Sequence, residues 1–130
     1  MAYCDVTDVE QLMQTKFTLS GHPTPTDVEE FVDFTAANLD GVIQASGYAT
    51  PVTVATAIAL LKKYNSFGAA VAVWHAGYVS DTAPARVEYW QEQYNGFISR
   101  VRRGEQELPG LTPTSDLQPA FEIVAFPERV

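Results

Sequence analysis

Cations are scarce in this chain, as are cysteine, histidine and clustered glycine. Eight Lys and Arg stand against sixteen Asp and Glu in 130 residues, a net charge of −8. Nucleic acid is gripped by cations that neutralise phosphates, so a wide DNA-gripping surface is not expected. A single cysteine, Cys4, excludes an internal disulfide framework and fits a reducing compartment. The two histidines, His22 and His75, have no second His or Cys at ligand spacing, so no metal centre is expected. Gly68, Gly77 and Gly96 are isolated, and neither GxGxxG nor GxxxxGK[ST] occurs, which leaves no cradle for a phosphate or dinucleotide. The serines lack a GxSxG turn, and Cys4 has no patterned histidine. No cofactor, catalytic group or metal ligand set is therefore expected. Residues 64–80 carry no charge over 17 positions but are broken by Asn65, Ser66, Gly68 and His75, so a buried helix is expected and no membrane span. No basic, apolar leader opens the chain, so signal-peptide export is not expected.

The sequence has enough apolar residues, 46%, for one core. Its charge is unevenly placed. Residues 1–40 carry one Lys against eight carboxylates, residues 41–104 six cations against three carboxylates, and residues 105–130 one Arg against five carboxylates. Two acidic ends flank a mildly basic middle.

The rest of the chain is organised around PVTVATAIALLKKYNSFGAAVAVWHAGYV, residues 51–79. Val54, Ile58, Leu61, Tyr64, Phe67, Val71 and Trp74 recur at helical spacing, predicting one long helix opened by Pro51 at its first position. Gly68 costs such a helix about 1 kcal/mol against Ala, which close approach of another helix would offset. Before it, Thr7 with Glu10 reads as a capping box for a helix over Asp8 to Met13. The same pattern at Thr26 and Glu29 opens a helix over Asp27 to Ala45, ended by Gly47. Its inner side is Val28, Phe31, Val32, Thr35, Leu39, Val42 and Ile43. After a loop at Ser80 to Thr82, Pro84 opens a last helix that Gly104 closes, with Val87, Trp90, Tyr94, Phe97 and Val101 in an a/d seam. These elements predict an all-α fold, an antiparallel helical bundle built on a long central helix, occupying residues 1–104.

Residues 105–130 lose the helical period. Four prolines forbid a long helix, and the segment reads as an extended C-terminal arm. Within it Ala120 to Phe126 is strand-like, with Phe121 and Ile123 on one side and Val124 and Phe126 on the other. A strand apolar on both faces wants cover, so docking on a neighbouring subunit or partner is expected of these four residues. Trp90 and Tyr94 are candidate interface anchors as well as core. Arg100, Arg102 and Arg103 form the one basic cluster, placed where a helix C-terminus favours cations and where an acidic partner or DNA phosphates could also be met. Glu29 and Asp33, four apart, form a solvated acidic face or, alternatively, a carboxylate pair for cation binding or acid chemistry.

In their order, AYCDVTDVEQLM, NLDGVIQASGYATP, LKKYNSFGAA and WQEQYNGFISRVRRGE, spanning Ala2 to Glu105, resemble the head-tail connector (adaptor) proteins of tailed double-stranded DNA bacteriophages and related gene transfer agents. LDG at 39–41, GY at 47–48 and the helix closing at Gly104 carry the likeness most strongly. The resemblance implies a structural protein of the virion, assembled in the host cytoplasm, without catalysis or cofactor. It implies a homo-oligomeric ring of about a dozen copies below the portal protein, closed by head-to-tail contacts. That ring would join the capsid to a downstream neck, head-completion or tail protein and let DNA pass through its channel without specific binding. Asp40 and Tyr48 match positions of the family pattern and are expected to be structural. A different class, a small phage DNA-packaging or regulatory protein binding DNA through Arg100 to Arg103, is the alternative; carboxylate chemistry at Glu29 and Asp33 is a third.

Overall fold

A computed structural model describes residues 2–77 and 84–111, and over these the fold is all-α. The helices are α1 (Val6–Met13), α2 (Pro25–Ala45), α3 (Ala55–Gly77) and α4 (Ala85–Arg102). Both N-terminal caps lie ahead of the expected ones. In α1 the box is Asp5 with Asp8: each carboxylate accepts the other's backbone amide at 3.0 Å. Glu10, freed of that task, accepts the amide of Phe17 at 3.0 Å instead. In α2 Thr24 and Asp27 make the box, which places Pro25 at the first helical position, where its missing amide costs nothing.

The central helix begins four residues later than expected. Pro51 lies in the connection, where the Val52 amide donates to the Tyr3 hydroxyl at 3.0 Å, and the first helical bond runs from Ile58 N to the carbonyl of Val54 at 2.9 Å. The described helix ends at Gly77, and its expected continuation to Val79 and the loop at Ser80 to Thr82 fall outside the described residues.

α3 packs against α1, α2 and α4, whereas α1 and α4 do not touch. Being flanked on three sides, α3 is buried well beyond one stripe. Leu61, Tyr64, Phe67 and Trp74 are buried as the periodicity predicts, but so are Ala57, Asn65, Ala69, Ala70 and Val73, while Val54, Ile58 and Val71 are only half-buried. Gly68 is the tightest point. A Cβ there would lie 2.5 Å from Thr35 Cγ2 on α2 and 2.8 Å from Tyr94 Cε1 on α4, so its place in GAAVA reflects close helix approach. On α2 every expected core position is buried except Phe31, which is half-buried.

A polar latch ties the N-terminus to this core. The Tyr3 amide donates to Asn65 Oδ1 at 2.9 Å, Asn65 Nδ2 donates to the Val32 carbonyl at 3.1 Å, and the Tyr3 hydroxyl donates to the Asp40 carboxylate. Asn65 is fully buried and has partners on both sides. Burial, reinforced by Asp40, holds the Tyr3 hydroxyl at a pKa of about 12.

Gly104, at φ +74, turns the chain back after α4. Residues 105–111 then lie against their own domain. Leu108 is 2% exposed, Thr56 Oγ1 donates to the Pro109 carbonyl at 3.2 Å, and Gly110, at φ +79, sits over Val54. The start of the expected arm is therefore part of the core. The strand-like run Ala120 to Phe126 lies outside the described residues.

Candidate functional site

The basic cluster at the end of α4 is split by its surroundings. Arg100 turns inward: its Nε donates to Gln106 Oε1 at 3.0 Å, and one terminal nitrogen reaches the Tyr64 hydroxyl at 3.3 Å. Tyr64 itself is stacked on Phe97 with ring centroids 4.2 Å apart. The carbonyl of Arg100 accepts the amides of Glu105 and Gln106, so this arginine closes the helix end. Arg103 pairs with Glu105 at 3.0 Å on the surface, and the pairing holds the glutamate below the usual carboxylate range. Arg102 is exposed and, among the described residues, has no carboxylate partner. The three arginines therefore do not form one phosphate-facing patch.

Arg102 instead rims a groove of about 450 Å³ between α2 and α4, lined by Ala37, Asn38, Gly41, Tyr94 and Ile98 among others. The small residues of α2 make its floor, and a Cβ on Gly41 would meet nothing within 4 Å. Tyr94 bridges core and groove. Its ring packs on Gly68, and its buried hydroxyl faces Asn38 without reaching hydrogen-bond geometry. Burial raises the pKa of that phenol. Trp90 is 5% exposed, with the Arg86 guanidinium 5.7 Å from its ring, and belongs to the core. Phe121, Ile123, Val124 and Phe126 lie outside the described residues.

A second groove, of about 410 Å³, opens where α1 and α4 fail to meet, with Leu12, Lys62, Lys63 and Phe67 in its lining. Lys63 Nζ lies 5.3 Å from the Tyr64 ring centroid and 6.0 Å from that of Phe67. Tyr89 of α4, 51% exposed, stands edge-on to Phe67 at 6.0 Å. Sequence periodicity did not single out this groove, nor Phe34, which is 68% exposed on α2. The usable signals were a Lys pair in an otherwise uncharged helix and a phenylalanine out of phase with its helix's apolar stripe.

Glu29 and Asp33 are both exposed and border a hollow of about 320 Å³ with Cys4 and Asp5. Burial raises the Cys4 thiol to about 11, which disfavours the nucleophilic thiolate at neutral pH. Among the described residues no group of three or more His, Cys, Asp and Glu is placed to hold a metal ion, and no helix is long and apolar enough to cross a membrane. Asp40 is the acceptor of the Tyr3 latch, and Tyr48 packs half-buried against the core. Comparison of the chain with protein-family models, with curated proteins and with solved structures finds no match.

Proposed function

We propose that this chain is a structural head-tail adaptor of a tailed bacteriophage or gene transfer agent, assembling as a ring below the portal and joining the capsid to neck or tail while DNA passes through. The fold that serves it is an antiparallel bundle on α3. Its pairings support that topology: Gly77 lies near His22 and Pro23 while Gly68 meets Thr35, and Tyr64 meets Phe97 while Gly68 meets Tyr94. The observation that carries the functional reading is the character of the surface. Among the described residues it offers an open groove between α2 and α4 and another along α1 and α3, with Phe34 and Tyr89 exposed. Charge is sorted by element: α2 holds Asp27, Glu29, Glu30, Asp33 and Asp40 with no cation, whereas α3 holds Lys62 and Lys63 with no carboxylate. Complementary faces on one chain suit repeated contacts between identical copies. An acidic channel surface repels phosphates and lets DNA slide.

The arm beyond Leu111, with Phe121, Ile123, Val124 and Phe126, is assigned in this reading to the portal or a neighbouring copy. The test is electron microscopy of the purified protein mixed with portal-bearing particles. A closed ring of density at the portal vertex is the expected result. Protein that neither rings nor binds the portal at any salt concentration overturns the reading.

A further inference from the structure

The groove between α1 and α3 has an apolar floor and a cationic rim. Leu12, Ala59 and Phe67 supply the floor, and Lys62 and Lys63 the rim. Lys62 is partly engaged by Asp8 at 3.4 Å, whereas Lys63, exposed, lies beside the Tyr64 and Phe67 rings and makes no ion pair among the described residues. Among the described helices, α1 and α4 both pack on α3 without meeting each other, and the groove opens beside α1. Tyr89 extends the apolar surface from the α4 side by its edge contact with Phe67.

The same chain carries a surface of opposite design. Phe34 projects from α2 with 68% of its surface exposed, and Glu30 and Asp33 are exposed beside it. A phenylalanine buries about 150–250 Å² when covered, the largest gain available at any exposed position on α2. A groove of about 410 Å³ has room for one aromatic side chain. α2 contributes nothing to the lining of that groove, so Phe34 does not fill it within its own molecule.

We propose that one copy of this chain seats the outer face of its α2, with Phe34 as the central anchor and Glu30 and Asp33 flanking it, in the α1/α3 groove of the next copy, against Phe67, Tyr89 and Lys63. The inference rests on the adaptor reading and names the interface that reading requires. Knob and groove lie on different parts of one surface, so the contact is heterologous: each copy uses one face to receive and another to give, and a closed ring or an open chain follows. The lysines meet carboxylates across it, which sets the register and disfavours the reversed pairing, where like charges would face each other.

The test uses two full-length variants at exposed positions, Phe34→Lys and Lys63→Glu, with unchanged thermal midpoints confirming that each is folded. In sedimentation, each variant alone is expected to lose self-association by about tenfold or more in concentration. An equimolar mixture is expected to form a complex of two copies, twice the 14.3 kDa chain mass, and to stop there. In that complex the intact knob of Lys63→Glu occupies the intact groove of Phe34→Lys, and the one remaining knob lacks the aromatic anchor needed to extend the chain. A mixture that stays monomeric while the wild-type protein associates overturns the proposal. Wild-type rings on portal-bearing particles, with both variants equally competent, overturn this interface and leave the adaptor reading standing. Wild-type protein that neither associates nor rings overturns both.

Discussion

Two glycines on different helices separate packing from helix propensity. At Gly68 a methyl group would press on Thr35 Cγ2 at 2.5 Å and on the Tyr94 ring at 2.8 and 2.9 Å. Overpacking of this kind costs about 1–3 kcal/mol, more than the roughly 1 kcal/mol that alanine gains over glycine in a helix. At Gly41 nothing lies within 4 Å, so only the propensity gain remains. Gly68→Ala is expected to lower the urea midpoint and Gly41→Ala to raise it, and equal signs in the two unfolding curves would refute this account of α3 packing. The Tyr3 latch makes a further prediction, with pH as the variable. The Tyr3 phenol rises from 10.0 to about 12 and the Cys4 thiol from 9.0 to about 11, both mainly through burial. Folding therefore favours the protonated forms. Their contribution is complete below pH 9 and is lost as pH climbs through the folded values. Unfolding midpoints are expected to hold from neutrality to about pH 9 and to fall toward pH 12, with the upper part of the fall removed in Tyr3→Phe. That variant also starts lower, by about 1–3 kcal/mol at pH 7, since the buried Val52 amide loses its acceptor.

The elements were legible to different depths, and the differences have physical causes. The inner face of α2 follows from spacing, because Val28, Val32, Leu39 and Ile43 repeat at the helical period, as do the apolar positions of α3 and α4, whereas α1 rests on a capping pattern. Both caps were displaced because Thr7/Glu10 and Thr26/Glu29 match the pattern as well as the pairs actually used. Asp5/Asp8 departs from the usual Ser/Thr with Glu/Gln form, and Pro25 after Thr24 was the overlooked cue. The connection before α3 and the return of residues 105–111 meet distant partners, Tyr3 and Val54, which periodicity cannot report. In the candidate site, Trp90, Tyr94 and the arginines were identifiable by residue type. That Arg100 faces Tyr64 and Gln106 and Arg103 faces Glu105 depends on where Gly104 sends the chain. Leu108 tests this level. Reading residues 105–130 as arm makes Leu108→Ala harmless to the fold, whereas its burial at 2% exposure calls for a loss of about 2–5 kcal/mol in chemical denaturation.

At the scale of the whole molecule, charge and apolar surface act over different ranges, and this distinguishes assembly from DNA binding. The proposed contact between copies through Glu30, Asp33 and Lys63 would combine exposed charges with the burial of Phe34. Salt shortens the Debye length from about 30 Å at 0.01 M to about 3 Å at 1 M, which removes the charged contribution while the apolar one persists. Self-association is therefore expected to weaken with salt without vanishing, and to weaken less in a variant that keeps Phe34 but lacks Glu30 and Asp33. DNA binding through the end of α4 would behave otherwise. It would depend on Arg102 and Arg103 and collapse steeply with salt, because each phosphate contact releases a counterion. At the end of α4, Arg102 is the one arginine without a side-chain partner among the described residues, and on a chain of net charge −8 it gives little such grip. Gel-shift titration with duplex DNA at about 0.15 M salt is expected to show no complex, and Arg102→Ala with Arg103→Ala no change, because one or two arginines release too few counterions to hold DNA at that salt. A shift that disappears in the double variant would restore the DNA-binding alternative and displace the adaptor.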